Sequence, residues 1–214
     1  MSRVVLFGGH GKVALLLEPL LVAAGYAVSA VIRNPGHTDE VAATGVTPVV
    51  ADIEQLDVNG MTGLLDGHDV VIWSAGAGGG NPLRTYALDR DAAIRSMDAA
   101  AATGIRRYVM VSYFGAGPEH GVPEGDSFFP YAEAKSAADA HLRARGLDWT
   151  IVAPSRLTLE AGTGRIDLAA TTASSVSRAD VASVVAACVD RDGTIGQTLR
   201  FNAGNTPIGQ ALPA

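Results

Sequence analysis

The stretch Arg3-Val4-Val5-Leu6-Phe7-Gly8-Gly9-His10-Gly11-Lys12-Val13-Ala14 decides the fold of this 214-residue chain. Four of its first five residues are apolar and two of them are β-branched, which predicts a short buried strand. The glycines that follow predict a tight turn, and from Gly11 to Gly25 the valines and leucines recur with a helical period. A strand, a glycine turn and a helix in this order are typical of the first unit of a parallel α/β sheet.

The rest of the chain repeats this alternation of apolar strands and helices. Further strands are predicted at residues 27–33, 46–51, 68–74, 106–112, 148–153 and 197–202. Helices are predicted at 53–65, 89–103, 131–145 and from Ser177 to about Val189. Alternating elements imply right-handed crossovers and a sheet covered on both faces. We expect one α/β domain over residues 1–214, a Rossmann-like, doubly wound parallel sheet with small C-terminal elements on the substrate side.

The composition excludes several classes of partner. The net charge is −6 and the pI is near 5.3, which argues against nucleic acid or an anionic membrane as the main partner. The single cysteine, Cys188, has no partner for an internal disulfide. The apolar start is too short for a signal peptide, no run is long enough to cross a bilayer, and no residues have metal-ligand spacing. We expect a soluble cytoplasmic protein with a small-molecule substrate and no metal; a homodimer is left open.

The glycine turn predicts a nucleotide site. In Gly8-x-x-Gly11-x-x-Ala14, the first glycine permits the turn, the second lets backbone amides approach a pyrophosphate, and alanine permits close packing of helix and strand. The alternative is an ordinary tight turn with no ligand. The predicted cofactor contacts in this turn are Gly8, Gly9, His10, Gly11, Lys12 and Val13.

The end of the second strand predicts which nucleotide binds. NAD sites usually place an acid there, whereas this chain has Arg33, whose forked donors suit a 2′-phosphate. We therefore expect NADP rather than NAD, although a solvated arginine is the simpler alternative. Asp52 and Ile53 follow the third strand, where an adenine contact is expected; Asp52 also fits a helix N-cap. Ser74, Ala75 and Gly76 begin a glycine-rich loop predicted to pass close to the cofactor.

A second pattern concerns the two lysines, which stand against fourteen arginines. Lys135 lies four residues after Tyr131, so both side chains share one helical face. A nearby ammonium would lower the pKa of a tyrosine from about 10 towards neutrality, as acid–base catalysis needs. Ser112, at the end of the fifth strand, is placed to donate a hydrogen bond to a reacting oxygen. The alternative is that Tyr131 only packs and Lys135 is solvated.

Together these residues resemble the short-chain dehydrogenase/reductase superfamily, in particular its atypical NAD(P)H-binding members related to NAD-dependent epimerase/dehydratases. The resemblance rests on five segments, at residues 7–14, 106–112, 131–135, 147–152 and 177–182. It implies that Tyr131 exchanges a proton with the substrate oxygen, that Lys135 also holds the nicotinamide ribose and that Ser112 orients the substrate. Asp89 stands where the family usually has an asparagine as the fourth member of the active site, so the resemblance implies that Asp89 is a catalytic residue too.

Three functions fit this sequence. The first is an NADP(H)-dependent oxidoreductase acting on a small carbonyl or ring compound, with loop aromatics such as Tyr113 and Phe128 as an apolar wall. The second is a non-catalytic NADP(H)-binding regulator, which would be marked by a broken Tyr–Lys pair. The third is an NAD(P)-dependent epimerase, which uses the same tyrosine with transient hydride transfer.

Overall fold

The protein, described here by a computed structural model over residues 2–214, has a nine-stranded main sheet. Seven of its strands are parallel, in the order β10-β6-β5-β4-β1-β2-β3. They are β1 (Arg3–Phe7), β2 (Ala27–Ile32), β3 (Thr47–Val50), β4 (Val70–Trp73), β5 (Arg107–Val111), β6 (Asp148–Pro154) and β10 (Gln197–Ala203). The strand order reverses direction at β1, which lies between β2 and β4.

Four short strands complete the β-structure. β8 (Arg165–Asp167) pairs antiparallel with β10, and β11 (Thr206–Pro207) pairs antiparallel with β8 at the sheet edge. β7 (Arg156–Thr158) and β9 (Ser175–Ser177) form a separate two-stranded parallel sheet. The central sheet is therefore mostly, but not entirely, parallel.

Helices cover both faces of the sheet. They are α1 (Ala14–Ala23), α2 (Thr38–Ala42), α3 (Val58–Leu65), α4 (Pro82–Thr85), α5 (Ala93–Thr103), α6 (Phe129–Ala144), α7 (Arg178–Cys188) and α8 (Ile208–Ala211). A π-helical segment, Tyr86–Ala92, joins α4 to α5. One apolar cluster packs α1 and α7 on one face, and a second packs α3, α5 and α6 on the other. All four residues of β4 are buried, as a strand covered on both faces requires.

The predicted fold class is confirmed, but several boundaries are wrong. The helix expected from Ile53 begins at Val58, because Asp57 Oδ1 accepts a hydrogen bond from the Gly60 amide at 2.8 Å and caps it there. The helix expected from Asp89 is part of a longer helical stretch that starts at Pro82, after the N-cap Asn81. The strands β8 and β11 were missed, because two or three residues carry too little pattern to identify.

The lengths of the helices and the grouping of polar side chains bear on the expected partners. No helix in residues 2–214 combines the length and the hydropathy needed to span a bilayer. In the same residues, His, Cys, Asp and Glu side chains nowhere form a group of three suited to hold a metal ion.

Candidate active site

The glycine turn after β1 brings two loops together at the point where the strand order reverses. Gly8 has φ = +84°, and a Cβ there would lie 2.6 Å from Ala75 Cα in the loop after β4. The Gly11 amide donates to the Gly8 carbonyl oxygen at 2.8 Å, which closes the turn before α1. Only a residue without a side chain fits at Gly8, so the carboxyl ends of β1 and β4 form one continuous surface. Such a surface lets a phosphate approach the backbone closely, so it fits a dinucleotide.

A cleft of about 270 Å³ lies over this surface. Nine of the predicted cofactor residues line it: Gly8, His10, Gly11, Arg33, Asp52, Ile53, Ser74, Ala75 and Gly76. Ligands of open α/β sheets bind at this reversal of strand order, so the position of the cleft fits a nucleotide.

Three residues of the predicted turn contacts lie outside the cleft. Lys12 is exposed and lines a separate depression with Leu159 and Glu160. Val13 is buried in the core, and a Cβ at Gly9 would lie 2.7 Å from the Cβ of Ala30 on β2. Three of the six predicted turn residues, Gly8, His10 and Gly11, therefore line the cleft.

Two charged residues, Glu54 and Arg84, are among the cleft residues that were not predicted from the sequence. Arg33 Nη1 donates to Glu54 Oε1 at 3.1 Å, and Arg84 Nε donates to the same oxygen at 2.9 Å. Arg84 also donates from Nη1 to the Ala77 carbonyl oxygen at 2.9 Å. Arg84 lies thirty residues from Glu54 in sequence, so no local pattern connects them.

Histidines form a second part of the cleft wall. The rings of His10 and His37 stack with centroids 3.5 Å apart, and both residues line the cleft. His10 Nε2 lies 2.7 Å from Glu40 Oε2, which holds the ring in place. The imidazoles thus add polar ring nitrogens beside Arg33.

Tyr131 and Lys135 lie on α6, and Lys135 is almost completely buried, with 1% exposure. Its Nζ donates to the Val111 carbonyl oxygen at 2.7 Å and lies 3.5 Å from Met110 Sδ. The alternative of a solvated Lys135 is therefore wrong. Val111 precedes Ser112, so the lysine joins α6 to the carboxyl end of β5.

Two buried carboxyl groups lie near this ammonium. Asp89 Oδ2 accepts a hydrogen bond from the Ala77 amide at 2.9 Å, and Ser112 Oγ donates to Asp139 Oδ2 at 2.7 Å. Burial raises the pKa of both carboxyl groups, and the charge of Lys135 opposes that rise. Asp139, which the sequence analysis missed, has a second buried oxygen, Oδ1, without a partner in residues 2–214.

The pKa of Tyr131 lies above its ordinary value, the opposite of the expected direction. Burial is the main cause, followed by the charges of Asp89 and Asp139. Lys135 donates to a carbonyl oxygen, and burial together with the two carboxyl groups determines the sign of the shift. The expected Ser112 donor is also engaged, because its hydroxyl hydrogen points to Asp139.

A second, larger cleft of about 790 Å³ adjoins Tyr131. Phe128 packs 5.2 Å from the Tyr131 ring and edge-on to Tyr113 at 5.3 Å, so these three rings form an apolar cluster. The glycines at 78–80 line this cleft, while Ser74, Ala75 and Gly76 line the first. The loop 74–80 therefore runs from one cleft to the other.

Comparisons with known proteins agree with this geometry. The family described as NAD(P)H-binding matches residues 8–192. The uncharacterized sugar epimerase YhfK of Bacillus subtilis is 32% identical, with 98% of each chain covered. A solved putative NAD-dependent epimerase/dehydratase of Bacillus halodurans is 33% identical with a TM-score of 0.89, covering 97% of each chain. The solved oxidoreductase ylbE of Lactococcus lactis is 29% identical with a TM-score of 0.87, covering 98% of this chain and 94% of its own. The chain therefore belongs to the NAD(P)H-binding family of oxidoreductase- and epimerase-like proteins.

Proposed function

We propose that this protein is an NADP(H)-dependent oxidoreductase that reduces a small carbonyl or ring compound. The observation that carries the proposal is the position of Tyr131. It lies on the wall of the second cleft, which we call the aromatic cleft. The loop 74–80 links this cleft to the first one, which we call the nucleotide cleft. A substrate in the aromatic cleft would then lie within reach of both the tyrosine hydroxyl and the cofactor.

The residues of the first cleft would hold a nicotinamide cofactor, which would supply hydride when bound, and Tyr131 would supply the proton to the substrate oxygen. Tyr131 is protonated at neutral pH, since even a free tyrosine has a pKa of about 10 and burial raises it further, so its hydroxyl serves as a proton donor rather than a base. The same rise makes the hydroxyl a weaker acid, so the shift does not itself speed proton transfer. A protonated hydroxyl therefore fits reduction, in which the substrate oxygen gains a proton, better than it fits oxidation.

The proposed roles of the other residues follow from their contacts. Lys135 fixes the end of β5 through the Val111 carbonyl oxygen and partly neutralises Asp89 and Asp139. We assign it the ribose contact of the cofactor as well, following the resemblance. Asp89 holds the Ala77 amide and so orders the loop that connects the two clefts.

The preference for NADP over NAD rests on the arginines and the ring nitrogens around the first cleft. Arg33, Arg84 and the two histidines face a ligand there, and guanidinium groups bind phosphate by charge-assisted, forked hydrogen bonds. This support comes from the cleft alone, since the family includes users of either nucleotide by its description.

The decisive test measures binding and turnover separately. NADPH and NADH are titrated against the wild-type protein, and NADPH consumption is then followed with a panel of quinones, flavins, aldehydes and ketones. We expect tighter binding of NADPH and consumption with at least one carbonyl or ring compound. Tight binding with no turnover on any compound would overturn the enzyme proposal in favour of an NADP(H)-binding regulator.

Epimerization of a sugar nucleotide is the second candidate, because two relatives carry epimerase in their names. The residues that line the aromatic cleft include the acids Glu124 and Asp126 and, within residues 2–214, neither lysine nor arginine. A diphosphate group would meet repulsion there. An epimerase assay with a sugar nucleotide separates the two candidates, and we expect no conversion.

A further inference from the structure

Glu54 stands between two arginines at the edge of the nucleotide cleft. Its Oε1 accepts hydrogen bonds from Arg33 on one side and from Arg84 on the other, at 3.1 and 2.9 Å. The Glu54 side chain is 14% exposed, compared with 54% for Arg33 and 31% for Arg84. Two guanidinium groups from distant segments thus converge on one oxygen atom inside the cleft.

The backbone holds Glu54 in this position. Its amide donates to Asp52 Oδ1 at 3.2 Å, and its carbonyl oxygen accepts from Arg95 Nη2 at the same distance. Arg84 is held separately by the Ala77 carbonyl oxygen. Arg84 is therefore aimed at this point by a contact other than the carboxylate itself, and it stays aimed if another anion takes the place of the carboxylate.

We infer that Glu54 determines the choice between NADP(H) and NAD(H), by occupying the place where the 2′-phosphate binds between Arg33 and Arg84. This inference rests on the proposed function, since it concerns the same cofactor. A 2′-phosphate must displace the carboxylate from the two guanidinium groups. A 2′-hydroxyl, in contrast, donates to the carboxylate and leaves the pair of arginines bound.

The charges explain why the effect is selective. The two arginines carry two positive charges, and Glu54 cancels one of them. A phosphate monoester brings close to two negative charges, so it gains from the arginines but is repelled by the carboxylate. The adenosine half of NAD(H), which has no 2′-phosphate, is not repelled by the carboxylate in this way. Glu54 therefore reduces the preference for NADP(H) that Arg33 alone would give.

The variant Glu54→Gln tests this inference, because glutamine keeps the size and an acceptor oxygen but loses the charge. Dissociation constants are measured for NADPH and NADH, and for the probes adenosine 2′,5′-bisphosphate and AMP. We expect the ratio of the NADH to the NADPH constant to rise by about tenfold, with the same change for the two probes. The control Glu119→Gln removes one charge from an exposed loop and should leave the ratio unchanged.

A second variant keeps the test decisive if Glu54→Gln does not fold. Arg84→Met should weaken NADPH and adenosine 2′,5′-bisphosphate binding by about tenfold and change NADH and AMP binding little. An unchanged ratio in a folded Glu54→Gln protein, or equal losses for all four ligands in Arg84→Met, would overturn the inference. Failure of the wild type to bind either dinucleotide would instead refute the proposed function.

Discussion

The nucleotide cleft and the surroundings of Tyr131 both contain charged groups, but the exposure and the partners of these groups differ between the two regions. In the cleft, Arg33, Arg84 and Glu54 are partly exposed and bonded to one another. Around Tyr131, Lys135 and Asp89 are each 1% exposed, and Lys135 donates to a carbonyl oxygen rather than to a carboxylate. The first arrangement allows an incoming anion to exchange with an existing partner. The second excludes water and shifts pKa values, which suits proton transfer.

The largest expected effect tests the buried surroundings of Tyr131. Tyr131→Phe removes only the hydroxyl, so turnover should fall about 10²- to 10⁴-fold while NADPH affinity stays within about twofold. NADPH consumption and a binding titration measure the two quantities. Undiminished turnover would show that the proton comes from elsewhere and that the burial around Tyr131 serves packing alone.

Lys135→Met should destabilise the fold by about 3–5 kcal/mol at neutral pH, because it leaves buried carboxyl groups without their nearby cation. The chain offers a matched control in its other lysine, Lys12, which is exposed. Lys12→Met should change the free energy of unfolding by less than about 0.5 kcal/mol. Chemical denaturation of both variants measures the difference, and equal effects would contradict the assigned role.

The same variant should show a pH dependence of known sign. Asp89 and Asp139 have pKa values raised in the folded protein, and the loss of Lys135 removes a charge that lowers them. A group with a raised folded pKa binds its proton more tightly in the native state, so stability is lost as pH rises through that pKa. The cost of Lys135→Met should therefore be smaller at pH 5 than at pH 8. A cost that is independent of pH would mean that the carboxyl groups do not sense the lysine.

Gly8→Ala tests whether the two loops of the nucleotide cleft must touch. The new methyl group would meet the Ala75 backbone at 2.6 Å with φ at +84°, so we expect a loss of about 2–4 kcal/mol and weaker binding of either dinucleotide. Gly78→Ala is the control, since its φ is +78° but no atom lies within 4 Å of the added Cβ. It should lose only about 1–2 kcal/mol. Similar losses in both variants would attribute the effect to φ alone.

The smallest expected effect concerns the nucleotide cleft, where the charged groups are partly exposed. Arg33→Ala should weaken NADPH binding by about 10- to 100-fold and leave NADH binding nearly unchanged, because one charge-assisted contact is lost. Arg106→Ala is the control, as its guanidinium binds Asp148 and does not line the cleft. Equal weakening of both dinucleotides would mean that Arg33 contacts a part they share.

Elements with a strong local pattern were predictable, and contacts between distant segments were not. The run from Arg3 to Ala14 identifies a strand, a turn and a helix, because hydrophobic period and glycine placement are local signals. The pairing of Glu54 with Arg84 depends on how α4 packs over the cleft, which no short pattern encodes. The predicted direction of the Tyr131 pKa shift was wrong for a related reason. The shift depends mainly on the burial of Tyr131, which arises only once α6 is packed in the folded chain, and next on Asp89, which comes from a distant segment.

The π-helical segment Tyr86–Ala92 contains Asp89. The direction of the Asp89 side chain therefore depends on the number of residues in this segment. A π-helix holds more residues per turn than an α-helix, and each residue of an α-helix turns the chain by about 100°. Deleting Ala87 would let this segment relax to an α-helix and rotate Asp89 by about that angle relative to Arg84. Faster hydrogen exchange at the Ala77 amide, which Asp89 protects, would reveal the change. The length of chain between Arg84 and Asp89 thus helps to aim this carboxylate at the Ala77 amide.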